Sequence, residues 1–300
     1  MSDEWVAAYV GCAMVEAHEA GLAGAGDARD LAEETWRSIA SAQRPDGRWG
    51  FNGLAIGDGD STMWAIRLAR ALGEVPGLNA VRVLAEHQRP DGSLSTYAAE
   101  EPIRSIIDAD PGLSFGGWIG PHACVTAVGS TVEEVADGSL RYLAQTQSAS
   151  GGWRAYWWQA DAYVAAFAVQ GLTTSFPDVA ARAAQWALSL LEEDGSVWQD
   201  GAPSAFATAC VARAASWSPA MEHRPGARRA LDWLQSHLDL RGGWPASALL
   251  RVPDPDDVEP WVPGRTWVSG GRRERALVLD VDGVFTTATA LSAFARAATW

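Results

Sequence analysis

The stretch QRPDGRW, Gln43 to Trp49, returns along this 300-residue chain. QRPDGSL occupies 88–94 and QSASGGW 147–153, followed by two eroded copies, LEEDGSV at 191–197 and LDLRGGW at 238–244. The glutamine-equivalent positions are spaced by 45, 59, 44 and 47 residues, a period that marks one supersecondary unit stacking on the next. Asp-Gly and Gly-Gly make sharp turns because glycine accepts positive φ.

Helical patterns flank every copy. Those before it carry charges on one side, as in DARDLAEETWRSIASAQ (27–43), and predict amphipathic outer helices. Those after it are DSTMWAIRLARAL (60–72), PHACVTAVGS (121–130), ADAYVAAFAVQGL (160–172), PSAFATACVARAAS (203–216) and GVFTTATALSAFARAA (283–298). They are rich in small and apolar residues and predict helices surrounded by protein. Alternating outer and inner helices, closed by the N-terminal helix, predict an all-α fold: an α/α barrel (toroid) of about six hairpins and about eleven helices. A single domain spanning 1–300 is expected.

Hydrophobic residues make up 48% and charged residues 20% of the chain, which excludes general disorder. The net charge of −14, with arginine supplying all 23 basic residues, argues against an open nucleic-acid or anionic-membrane surface. Cys12, Cys124 and Cys210 are odd in number and lie in apolar helical patterns. They read as buried thiols in a reducing compartment, so a cytoplasmic location is expected. Neither a signal peptide nor a membrane span is expected, because Glu16, His18 and Glu19 interrupt the N-terminal apolar run.

The repeat, a glutamine followed by Gly, one residue and Trp, resembles the QW motif of the squalene–hopene and terpene cyclase superfamily. It is nearly intact at Gln43–Trp49 and Gln147–Trp153, and the likeness extends over most of the chain. The resemblance implies that these Gln and Trp residues tie the outer helices together and have no catalytic role. In class II terpene cyclases a DxDD motif opens an inner helix after a Gly-aromatic stretch; here Asp58-Gly59-Asp60-Ser61-Thr62 stands in its place. DGDST is one conservative change from the DxDTT of enzymes similar to drimenyl diphosphate synthase, which points to substrates shorter than squalene. The resemblance makes Asp60 the general acid, with Asp58, Ser61 and Thr62 beside it. A lone DxDST would read as a helix cap; within five aligned repeats it reads as catalytic. A strong acid that stays protonated needs a neighbouring carboxylate and a dry wall. The histidine that supports the acid in squalene–hopene cyclases is replaced by Val128 in Cys124-Val125-Thr126-Ala127-Val128, leaving His122 as a substitute or as a helix cap.

A carbocation needs apolar walls and π faces, each ring worth roughly 2 kcal/mol or more once desolvated. Trp64, Phe115, Trp118, Trp157, Trp158, Tyr163, Phe167 and Phe285 are the candidates. Arg272 and Arg273 in VSGGRRER (268–275), and Arg154, are candidates for holding a diphosphate. No cofactor is required for protonation; Mg²⁺ would enter only with a diphosphate, and Asp280 and Asp282 read as helix caps rather than as its ligands. No metal site is expected. The implied activity is protonation-initiated cyclisation of a linear isoprenoid: a sesquiterpenyl or diterpenyl diphosphate, or a meroterpenoid. A non-catalytic toroidal scaffold and a zinc prenyltransferase β-subunit are the alternatives. The second helical domain of larger class II enzymes has no counterpart in 300 residues. Loops 95–120 and 245–283, or association with another chain, must then close the cavity.

Overall fold

The computed structural model describes residues 3–264, 266–269 and 275–300. Six inner helices, α1 (Trp5–Glu19), α3 (Gly59–Leu72), α6 (Ala123–Gly129), α8 (Ala162–Ser175), α10 (Ala205–Trp217) and α12 (Val284–Ala297), follow one another around a closed ring. The ring shuts because α1 packs on both α3 and α12. Five outer helices, α2 (Ala28–Ser41), α4 (Leu78–Glu86), α7 (Glu133–Thr146), α9 (Pro177–Leu188) and α11 (Arg224–Ser236), complete the expected eleven. A twelfth helix, α5 (Glu100–Ile107), lies in the longest gap between repeats. The difference between layers follows from the sequence: α8 and α10 are buried nearly all round, whereas α2 buries only Ala32 and Ile39.

All five turns share one geometry, including the eroded copies. Gly47, Gly92, Gly151, Gly195 and Gly242 have φ between 84° and 100°. Gln43, Gln88 and Gln147 each donate Nε2 to the carbonyl four residues on. Gln88 and Gln147 also reach the next outer helix, at Val135 O (2.8 Å) and Val179 O (3.0 Å). Trp49, Trp153 and Trp244 each donate the indole N–H to the carbonyl ten residues earlier, on Ile39, Leu143 and Leu234. Inner-helix threonines fasten the turns from inside: Thr62, Thr126 and Thr208 accept the N–H of Trp49, Leu94 and Val197.

Short strands decorate one end of the ring: β1 (Trp49–Gly50) pairs with β2 (Gly57–Asp58), and β3 (Trp198–Gln199) with β4 (Ala202–Pro203). A three-stranded flap joins β5 (Leu249–Val252), β6 (Val268–Ser269) and β7 (Ala276–Leu279), with β7 between the other two. The ring axis is filled below that end by Tyr9, Trp64, Trp158, Tyr163, Phe167, Phe206 and Phe285, in ring contacts of 3.8–6.5 Å. Near the C-terminal ends of the inner helices, Arg213 crosses to Glu16 (2.9 and 3.1 Å) and Gln170 (3.0 Å). No helix among the described residues is long and apolar enough to cross a membrane.

The turn glycines do not share the same surroundings. A Cβ on Gly151 would lie 2.7 Å from Arg182 O of the next outer helix, whereas one on Gly242, the last turn, would meet nothing within 4 Å. Both Ala substitutions add left-handed strain of about 1–2 kcal/mol, but only Gly151→Ala also forces the outer helices apart. Urea denaturation should show Gly151→Ala more destabilising than Gly242→Ala by at least about 1 kcal/mol.

Candidate active site

β2 delivers Asp58 in extended conformation, φ −134° and ψ 163°, to the start of α3. Its carboxylate accepts the N–H and the Oγ–H of Ser61, both at 2.7 Å, so Asp58 caps the helix. Gly59 follows because a Cβ there would sit 2.8 Å from the His87 ring. Asp60, in the first turn of α3, is thereby relieved of capping. Its Oδ1 is buried and has no hydrogen-bond partner among the described residues. Burial, and secondarily the charge of Asp58, push its pKa well above the usual carboxylate range. The indoles of Trp5 and Trp64 act in the opposite sense, though neither N–H closes a hydrogen bond. Burial also raises Asp58, against the bonds from Ser61, to about 6. The pair is one coupled acid in which Asp60 keeps its proton longer.

Asp58 and Asp60 line a cavity of about 270 Å³. Trp5, Phe51, Tyr97, Trp118 and Trp157 form its aromatic faces; Ala55, Leu250 and Val252 add aliphatic surface, and Ser61 and Thr96 add hydroxyls. No basic side chain is among the lining residues described. Burial, then Asp58 and Asp60, hold the Tyr97 phenol above its ordinary pKa.

The loops expected to close the hollow do so against each other. Gly117 N donates to Pro255 O (2.8 Å), Trp118 Nε1 to Pro253 O (3.0 Å) and Tyr156 Oη to Asp257 O (2.8 Å). The β5 strand is hooked to the ring by Gln159 N donating to Leu249 O at 3.0 Å. Cover therefore comes from this chain's own residues.

Of the aromatic residues expected as walls, Trp118 and Trp157 line the cavity. Trp64, Trp158, Tyr163, Phe167 and Phe285 instead pack the axis below it, because small residues on the inner helices leave the ring centre for large rings to fill. Phe115 is fully buried beneath Trp118 and under the Arg104 guanidinium. Thr62 does not orient the acid: its hydroxyl bonds the Trp49 backbone, the same task as Thr126 and Thr208 in other repeats. His122 does not reach Asp60 by any hydrogen bond either. Its Nε2 bonds Gly117 O (2.8 Å) and its Nδ1 pairs with Thr96 Oγ1 (2.8 Å), which also receives the Trp157 indole N–H (2.6 Å). Burial lowers its pKa to about 4, so it serves as a neutral brace of the wall. Arg154 is paired with Asp161 (2.7 Å) in a different, solvent-facing groove. Arg272 and Arg273 lie outside the described residues. Asp280 caps α12 through Phe285 N and Thr286 N, and the described residues contain no cluster of His, Cys, Asp or Glu suited to a metal ion.

Trp5, Phe51, Tyr97, Leu250 and Val252 escape the sequence reading because four of them come from loops and flap, where no period operates. Trp5 carried a readable signal: it opens an inner helix, as does the Val284-Phe285 start of α12.

No protein-family model matches the chain, and no curated protein matches it. Solved structures do. The type II terpene cyclase MstE from Scytonema is 32% identical over 99% of this chain and 88% of its own, with a TM-score of 0.89. An aspartate-to-asparagine variant of it holds the substrate geranylgeranyl dihydroxybenzoate, and an aspartate-to-alanine variant the product merosterolic acid A. A protein from Actinoplanes is 30% identical over 99% of this chain and 90% of its own, at a TM-score of 0.89. The ent-copalyl diphosphate synthase of Streptomyces platensis, 17% identical over 98% of this chain and half of its own, shares the fold at a TM-score of 0.67.

The electrostatics of the pair can be tested directly. Asp58→Asn keeps an oxygen for the Ser61 N–H but removes the charge that opposes ionisation of Asp60. The Asp60 carboxyl, followed by ¹³C NMR titration, should fall in pKa by about one unit or more. An unmoved titration would show that burial alone sets it.

Proposed function

This chain belongs to the type II terpene cyclase family and cyclises a linear prenyl substrate; we propose that Asp60 is its general acid and that its substrate is a meroterpenoid, a prenyl chain on an uncharged aromatic head. The observation that carries the first part is the Asp60 carboxyl: freed of capping by Asp58, unpartnered at Oδ1, kept protonated by burial and set in the wall of an aromatic cavity. The Asp60 O–H transfers its proton to the terminal alkene, leaving a carboxylate and a tertiary cation. Successive alkenes attack in turn, and loss of a proton from the last cation makes the conversion a net isomerisation. The faces of Trp5, Phe51, Trp118 and Trp157 stabilise positive charge as it moves. The 95–120 loop and the described residues of 245–283 exclude the water that would quench it early.

The head-group assignment rests on charge. A diphosphate needs cationic donors, yet no described lining residue is basic, and Arg154, Arg251 and Arg275 are engaged with Asp161, Ala155 O and Asp254. The related MstE acts on geranylgeranyl dihydroxybenzoate, a substrate of the same class. Hydrophobic burial of the prenyl chain then supplies the affinity, in a cavity at the small end of the usual range of about 300–1,000 Å³.

Purified enzyme is to be incubated with farnesyl and geranylgeranyl diphosphate and with farnesyl and geranylgeranyl dihydroxybenzoate. Cyclic product is expected from a prenylated benzoate, and Asp60→Asn should reduce it by about 10²–10⁴-fold with substrate binding retained. Turnover of the diphosphates alone would overturn the head-group assignment, and an active Asp60→Asn enzyme would overturn the acid.

A further inference from the structure

A histidine supports the acid in squalene–hopene cyclases, and nothing of that kind touches Asp60 here. Four buried polar atoms around this point have no hydrogen-bond partner among the described residues: Asp60 Oδ1, Trp5 Nε1, Trp64 Nε1 and Tyr163 Oη. An indole N–H can only donate, and a carboxylate can only accept. Trp64 follows Asp60 by four residues on α3 and so shares its face of the helix. Trp5 opens α1, which packs on α3, and lines the same cavity as Asp60. Neither ring is free to turn away. Trp64 is held edge-on by Tyr9 (4.6 Å, 65°) and Phe167 (5.4 Å, 79°), and Trp5 is stacked on Phe285 (5.2 Å, 26°).

Resting on the assignment of Asp60 as general acid, we infer that the indole N–H groups of Trp5 and Trp64 are positioning donors for its conjugate base, closing hydrogen bonds to Oδ1 as the proton leaves. They act through Asp60 and take no part in bond making. A donor that bonds only the charged product of a step favours that step over the resting state, and two buried donors left unpaired at rest are available for this use. The resting acid stays protonated because burial outweighs their pull; the acid is then stronger at the moment of transfer than its dry surroundings alone would permit. The other titratable groups around Asp60 are Asp58 on β2, Tyr97 in the 95–120 loop, Cys124 on α6 and Tyr163 on α8. Each of these is an anion when ionised, so none brings a positive charge to the Asp60 carboxylate; among them only the hydroxyl of Tyr163 is, like the two indoles, a buried donor without a partner among the described residues.

Trp5→Phe and Trp64→Phe keep an aromatic ring in place and remove only the donor. Each should lower kcat by about tenfold to a hundredfold, the range for a hydrogen bond to a charged group, with KM little changed. Because a donor to the carboxylate lowers the acid's pKa, its removal should raise that pKa by about one to two units. Activity needs the protonated form and is lost as pH rises, so the alkaline limb of the kcat profile should move to higher pH. A slower enzyme with an unmoved limb would reduce both indoles to wall residues and overturn the proposal. A second measurement does not depend on the variants folding. In ¹⁵N-indole-labelled native enzyme, two of the sixteen tryptophan N–H resonances should titrate with Asp60 and stop doing so in Asp60→Asn; their failure to follow it in the native enzyme is equally fatal. Loss of turnover in Asp60→Asn combined with normal turnover in both Phe variants would separate failure of this inference from failure of the acid assignment.

Discussion

Three of the five turns hold one outer helix to the next by pressing a glycine against a backbone carbonyl. At Gly92, Gly151 and Gly195 a Cβ would stand 2.3–2.7 Å from the carbonyl of Gly138, Arg182 or Arg229, a residue of the following outer helix. Only glycine allows both the positive φ and the close approach. The helix is then tied from two sides, by Gln Nε2 from the turn and by Trp Nε1 to the carbonyl ten residues back. The indole bonds supply donors to carbonyls in the last turns of α2 and α7, where intrahelical donors run out, while the glutamines add a second donor to carbonyls in the first turns of α7 and α9. A ring so fastened at its rim can keep a hollow open at one end, where collapse would otherwise be favoured.

The hollow carries its carboxyl pair where one repeat departs from the others. Asp58, His122 and Ser204 occupy equivalent cap positions, each four residues before the rim threonine Thr62, Thr126 or Thr208. Two residues after each cap stand Asp60, Cys124 and Phe206, which place Asp60 in a register used elsewhere for apolar filling. A carboxyl there is set among apolar side chains that solvate its charge poorly, which pushes its pKa well above the usual carboxylate range. Position on the scaffold, rather than a special partner, supplies the proton's retention.

The same logic explains which parts were readable in advance. Periodicity reported the eleven ring helices and the turns, since all belong to the repeating frame; Asp58 and Asp60 are picked out by their resemblance to a family motif at the start of an inner helix. The segments 95–120 and 245–283 read as one way to close the cavity, with a partner chain as the other, because a second domain has no counterpart here; Gly117 and Trp118 do meet Pro255 and Pro253 over it. The role of individual aromatic residues was not readable: Trp157 faces the cavity while its neighbour Trp158 faces the axis. Adjacent residues in a non-helical segment diverge according to backbone direction, which carries no sequence period. Thr62 was misassigned for the opposite reason. Its neighbours suggested catalysis, but the recurrence of Thr126 and Thr208 at the same offset was the stronger signal.

Cavity wall and cover are linked through one network. Trp157, in the cavity wall, donates to Thr96 Oγ1, which pairs with His122 Nδ1; His122 Nε2 then bonds Gly117 O, and Gly117 N reaches Pro255 O of the flap-side loop. His122, stacked at 4.1 Å on Tyr156, thus joins wall to cover instead of joining wall to acid. Its low pKa keeps it neutral across the physiological range, so this bridge does not weaken as pH changes. A charged histidine beside the acid would have lowered the Asp60 pKa at rest and cost it the proton. Held neutral in the bridge between wall and cover, His122 adds no positive charge that would draw the proton from Asp60.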